Sequence, residues 1–200
     1  MSDLDQGHNS KFDKKIVAGL ERLSQVFRTL LWEKAKEHHL SPIQIQILIF
    51  IYDHSPELNT VSYFAKEFQV TKPTISDAVR VLEQKKLVSK NGNLLDSRRF
   101  SIALTESGEK IVDGTRYYTA PIMAWTEQLR TEEKESLWRS VSDLIRTLNQ
   151  TGIVTIYRTC YTCHHYRNKE GLHFCSLLEE ILETRDIQID CPDFKLTENL

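Results

Sequence analysis

The sequence predicts a mainly α fold with one small β-hairpin, and three observations predict it. Apolar residues recur at helical spacing along most of the chain, the stretch Leu87 to Leu104 alternates as paired strands do, and the capping residues Ser41, Thr71 and Thr105 stand directly ahead of periodic runs. Composition agrees: 200 residues, 40% apolar and 27% charged, describe a globular chain able to bury a core, with room for one domain and an appendage.

Residues 11–38 form the first element, a long amphipathic helix. Phe12, Ile16, Leu20, Leu23, Phe27, Leu30 and Leu31 recur at helical spacing, and His38-His39-Leu40 ends the run. Ser41 opens a second helix, with Pro42 at its first position and Gln44 three residues after the serine, a capping-box spacing. Its run from Ile43 to Tyr52 is almost continuously apolar, so this helix belongs in the middle of the domain. Asp53-His54-Ser55-Pro56 closes it, with His54 a helix-end cation or a surface residue. The longest unbroken apolar run, Ile47 to Tyr52, is far too short to span a membrane, and the polar N-terminus carries no apolar targeting core. A cytoplasmic protein without a membrane partner is expected.

The stretch Thr60 to Leu104 carries the chemistry. Phe64, Phe68, Val70, Ile75 and Ala78 take the positions at which a helix-turn-helix packs its two members together. Thr71 caps the second helix, Pro73 sits in its first turn, and Ile75, Ala78, Val79 and Leu82 form its inner face. The other face shows Lys72, Thr74, Ser76, Asp77 and Arg80 beside the capping Thr71. Short hydrogen-bonding groups near a helix N-terminus, with two cations, are what a helix needs to read base edges in a major groove. Leu87-Val88 then begins an extended segment, Asn91-Gly92 signals a turn, and Phe100, Ile102 and Leu104 alternate with Ser101 and Ala103. Lys90, Asp96, Arg98 and Arg99 fall at or near the hairpin tip, where cations reach phosphate or a minor groove and Asp96 can orient an arginine.

Charge follows the same geography. The whole chain carries −2, yet Thr71 to Phe100 holds seven Lys or Arg against three Asp or Glu, a local +4. Phosphate contacts are local, so a basic face on a mildly acidic protein suffices for double-stranded DNA. Beyond the hairpin, Thr105 caps a helix running through Ile111 towards Tyr117. Pro121 kinks or breaks it, and it resumes through Met123, Trp125 and Leu129. A last helix from Thr131 is expected to bury Leu137, Val141, Leu144, Ile145 and Leu148 before Gly152 stops it.

Taken together, Ser41-Pro42 opening a helix, the Thr71 to Leu82 helix, LEQKKLV, DSRR and LTESGEKIV resemble the MarR family of bacterial winged-helix regulators, over about Lys11 to Gln150. Lys86 departs from the glycine usual in the family before the apolar pair, and Gln69 occupies a turn position often held by glycine in other helix-turn-helix proteins. Both can visit the left-handed region at modest cost. The resemblance implies a winged helix-turn-helix over 41–110, a homodimer formed by terminal helices at 11–40 and 111–152, and a small-molecule effector pocket near Tyr117, Tyr118 and Trp125.

Residues 153–200 are not explained by the family pattern and hold all four cysteines, spaced Cys160-x2-Cys163-x11-Cys175-x15-Cys191. Four thiolates, two of them in a CxxC knuckle, suit a tetrahedral site for zinc or an iron–sulfur cluster. In a cytoplasmic chain metal is a better reading than structural disulfides, and metal-free thiol redox chemistry is the third option. His164, His165 and His173 are candidate substitute ligands. Leu177, Leu178, Ile181 and Leu182 mark a short amphipathic helix, and a metal would staple this small segment. The function expected is a dimeric, sequence-specific DNA-binding regulator, modulated through a metal or redox signal in the tail. The competing readings are a metal-dependent redox or hydrolytic enzyme, which no accompanying catalytic motif supports, and a protein-interaction module that binds no DNA.

Overall fold

The computed structural model describes residues 3–93, 96–154 and 158–196; the side chains of residues 3–10, 92–93 and 96–99 lie outside the description. Helix α1 (Asp3–Glu37) is about 50 Å long at 1.5 Å per residue and touches the body of the protein through its C-terminal end, where Leu31 and Ala35 are buried. The rest of its apolar stripe is uncovered in the single chain: Phe12 is 61% exposed, and Ile16, Leu20, Leu23 and Phe27 are exposed as well. His39, in the left-handed region, turns the chain into α2 (Pro42–Asp53). There the Ser41 N–H donates to Gln44 Oε1 at 2.8 Å, as the capping-box spacing predicts.

Helix α2 is the centre of the fold. Ile45, Ile47 and Leu48 are fully buried, and the helix packs against α1, α4 (Lys72–Gln84), α5 (Glu106–Thr115) and the wing strand β2 (Asp96–Leu104). A 3₁₀ turn, Pro56–Leu58, leads to buried Asn59, whose carbonyl accepts from the Ile102 N–H at 2.8 Å and ties this connection to β2. Helix α3 (Val61–Glu67) begins at Thr60, whose hydroxyl accepts from the Tyr63 N–H. Phe64 of α3, Ile75 and Leu82 of α4, Ile102 of β2 and Val112 of α5 complete one continuous core with α2.

Strands β1 (Val88–Asn93) and β2 pair antiparallel, Val88 opposite Leu104 and Lys90 opposite Ile102. This corrects the turn position: Asn91 and Gly92 pair with Ser101 and Phe100 inside the ladder, and the strands run on to Asn93 opposite Asp96 after an irregularity at Gly92/Asn93. The hairpin is therefore longer than the Asn-Gly signal implies, because cross-strand pairing can carry an Asn-Gly step within a strand when register and core contacts are set elsewhere.

Thr105 caps α5 as expected, accepting from the Gly108 N–H at 3.1 Å. Of the two outcomes expected near Pro121 the structure shows the break: α5 ends at Thr115, and Pro121 lies in the first turn of a separate α6 (Ala120–Glu127), where a missing N–H costs nothing. Helix α7 (Thr131–Gln150) ends at Gly152, whose φ of +77° closes the turn. Its apolar stripe is less buried than predicted: none of its residues is fully buried, Val141, Ile145 and Leu148 are half-buried, and Leu144 is 41% exposed. The tail also differs from expectation. Leu177 to Leu182 is not a helix; β3 (Tyr166–Lys169), β4 (Leu172–Cys175) and β5 (Glu180–Leu182) form an antiparallel sheet, with Leu182 buried and Leu177, Leu178 and Ile181 exposed. Glu170 and Gly171, both at positive φ, make the two-residue turn between β3 and β4. Among the described residues no helix is long and apolar enough to cross a membrane.

Candidate nucleic-acid interface

Helix α4 divides into two faces. Ile75, Ala78, Val79 and Leu82 are buried against α2 and α3, while Thr71, Lys72, Thr74, Ser76, Asp77 and Arg80 are all exposed. The N-terminal end is held in shape locally: Thr71 Oγ1 accepts from the Thr74 N–H at 3.4 Å and lies 2.9 Å from the Thr74 hydroxyl. Arg80 donates to Asp77 at 2.7 Å, a fully exposed pair of little energetic weight that a stronger partner can replace. The rival picture, in which these cations are buried in salt bridges, does not hold for Arg80.

The turn into this helix runs through Gln69 at φ +52°, and the turn out of it through Lys86 at φ +57°. Both non-glycine residues adopt the left-handed conformation that the two departures from the family pattern require. Lys90 is placed differently from its predicted position. It sits near the base of the hairpin, its ammonium 2.7 Å from Glu83 of α4 and over the Phe100 ring, so it fastens the hairpin to α4. The backbone of Arg98 and Arg99 belongs to β2; their side chains, and that of Asp96, lie outside the described residues.

Of the aromatic residues near the expected pocket, Tyr117 and Trp125 are exposed, whereas Tyr118 is half-buried against the core and burial pushes its hydroxyl pKa up. Arg116, not singled out from the sequence, donates to the Tyr52 hydroxyl at 3.0 Å and lies over the rings of Tyr52 and Tyr117. His54 is not a surface residue. It stacks on Phe50, with Nδ1 3.0 Å from the Phe50 carbonyl oxygen and Nε2 3.3 Å from Asp190 of the tail. Burial pushes the Asp190 carboxyl up, but hydrogen bonds from His54 and Arg158 hold it down at about 2.

The four cysteines lie in three segments of the tail. Burial is the main cause that raises the Cys160 thiol, with Cys163 and Cys175 near enough to add to it; Cys191 is raised by burial, then by Cys160, Asp193 and Cys163. The Gln188 N–H donates to Cys160 Sγ at 3.3 Å, the kind of contact that supports a thiolate. The donor set suits a thiophilic ion, although among the described residues no group of three or more His, Cys, Asp or Glu side chains is arranged to hold one. His173 is bonded to the Tyr166 hydroxyl, and His165 Nε2 is buried without a hydrogen-bond partner.

A short helix pair with an exposed second helix, followed by an antiparallel hairpin fastened to it, defines a winged helix-turn-helix protein. Residues 38–99 match the model of the MarR family. Among solved structures it is similar to the G34K mutant of Staphylococcus aureus MepR, at 28% identity and a TM-score of 0.54, over 66% of this chain and 97% of that one. It is also similar to S. aureus MepR in complex with DNA (28% identity, TM-score 0.55, 64% of this chain and 94% of that one). A third similar structure is MepR described as a transcription regulator of the S. aureus multidrug efflux pump MepA (28% identity, TM-score 0.51, 64% and 95%). No curated protein matches the chain. About a third of the chain has no counterpart in these structures.

Proposed function

We propose that the protein is a DNA-binding transcription regulator, not an enzyme, that acts as a homodimer on a pseudo-palindromic site, with α4 of each copy in a major groove and the wing on the flank. The observation that carries this reading is the exposed N-terminal face of α4, where Lys72, Thr74, Ser76, Asp77 and Arg80 stand clear of a fully buried opposite face. The similarity to MepR, solved in complex with DNA, supports it. Dimerisation is supported by the apolar stripe that one chain leaves exposed on α1 and by the partly exposed one on α7. A gel-shift titration of the full chain on its own upstream DNA against calf-thymus competitor tests the function: preferential binding is expected, and equal competition overturns it.

In the tail, the Cys160-x2-Cys163 knuckle together with Cys175 and Cys191 supports a thiolate-ligated centre, either zinc or an iron–sulfur cluster. Metal content and colour of protein purified without oxygen distinguish the two. Protein that stays metal-free after reconstitution with zinc and with iron and sulfide overturns this part.

A further inference from the structure

Arg158 stands two residues ahead of Cys160 and is only 5% exposed. Its guanidinium donates to both carboxylate oxygens of Glu67, at 2.6 and 3.0 Å, to the Tyr63 hydroxyl at 2.8 Å and, through Nε, to Asp190 at 2.5 Å. It also lies over the Phe50 ring, 5.3 Å from the centroid. These partners come from two different parts of the protein. Glu67 and Tyr63 belong to α3 and Phe50 to α2, whereas Asp190 precedes Cys191, whose N–H in turn donates to the Arg158 carbonyl at 2.9 Å.

One buried guanidinium therefore joins the two cysteine-bearing ends of the tail to the first helix of the DNA-reading unit. The attachment point matters because α3 has only seven residues and Glu67 is its last. Two residues on, Gln69 at φ +52° makes the turn into α4, and Phe64 and Ala65 of α3 are buried beneath α4. Such a short, tightly joined helix cannot move at Glu67 without carrying the start of α4 with it. Glu67 itself contributes nothing to the exposed reading face, so its pairing is free to serve position alone. A buried ion pair of this kind is weak evidence for stability, and its better-attested use is to fix one arrangement among alternatives. Arginine suits the role, since a lysine cannot hold two oxygens of one carboxylate while also reaching a second carboxylate and a hydroxyl.

We propose that Arg158 is a positioning residue through which the state of the cysteine tail sets the placement of α3, and with it the DNA affinity of α4. The tail in its closed arrangement keeps Asp190 and Arg158 together and Glu67 clamped; disturbing the cysteines loosens the clamp. This rests on the DNA-reading function proposed above, but on no particular metal.

All four cysteines of the chain lie in the tail, so thiol alkylation perturbs the tail alone. The test measures affinity of the full chain for its upstream DNA by fluorescence anisotropy, before and after alkylation with iodoacetamide, in the wild type and in Glu67→Gln and Arg158→Lys. Alkylation of the wild type is expected to weaken binding at least about fivefold. In Glu67→Gln, a nearly isosteric change that leaves Arg158 its second carboxylate at Asp190, and in Arg158→Lys, alkylation is expected to change affinity less than about twofold, because the tail is already uncoupled. A purely structural ion pair would lower affinity without removing the response to alkylation. The same response in Glu67→Gln as in the wild type overturns the proposal, as does an unmodified affinity in alkylated wild type. Failure of untreated wild type to prefer its upstream DNA instead overturns the DNA-reading function, and this coupling with it.

Discussion

Within the proposed DNA interface, Thr74 and Arg98 are assigned two different roles. Thr74 is exposed at the start of α4, where hydroxyls meet base edges, and its own hydroxyl already rests against Thr71, which limits its rotamers before DNA arrives. Substitutions at Thr74 or Ser76 are therefore expected to change which sequence is preferred, by about 1–3 kcal/mol at the affected base pair. Arg98→Ala and Arg99→Ala are expected to weaken binding on every sequence and to lower the salt slope by about one each, as read in titrations at several salt concentrations. Equal losses on all sequences for all four changes would contradict the assignment. Lys86 gives a separate test, on stability. At φ +57° the left-handed region costs an L-residue roughly 1–2 kcal/mol, and a β-branched side chain suffers most. Denaturant unfolding should find Lys86→Val less stable than the wild type and Lys86→Gly no less stable.

At the scale of elements, the junction between the wing and α5 is the least forgiving. A Cβ added to Gly108 would fall 2.1 Å from the Leu87 carbonyl oxygen, a backbone atom fixed by the start of the wing. Gly108→Ala should lower stability by about 1–3 kcal/mol in denaturant unfolding through forced separation of α5 and β1. Ile75→Ala, which empties a fully buried site between α4 and α2, should cost about 2–5 kcal/mol in the same measurement. These elements were legible in the sequence because local signals and burial agree there: Ser41 with Gln44, Thr71 ahead of Ile75 and Ala78, and Thr105 ahead of Gly108. Where they disagree the sequence misleads. The leucines between Cys175 and Cys191 have helical spacing, but the Glu170-Gly171 turn and strand pairing set the local structure instead. Asn91-Gly92 is likewise overridden by its pairing with Ser101 and Phe100. The Arg158 clamp is not visible in the sequence at all, since Glu67 lies 91 and Asp190 32 residues away and no local pattern links them.

For the whole molecule, the proposed homodimer accounts for the exposed apolar stripe of α1 and matches the two-fold symmetry of a palindromic site. Leu20→Glu should shift the mass in solution from dimer to monomer by light scattering, and weaken binding to a two-half-site duplex much more than to a single half-site. The central claim is that this chain reads DNA sequence, and competition between its own upstream fragment and an unrelated duplex of equal length, at one fixed physiological salt concentration, tests it most directly. The prediction is an affinity at least about a thousandfold higher for the upstream fragment, the lower end of what specific readers achieve. Equal affinity for both duplexes would contradict it.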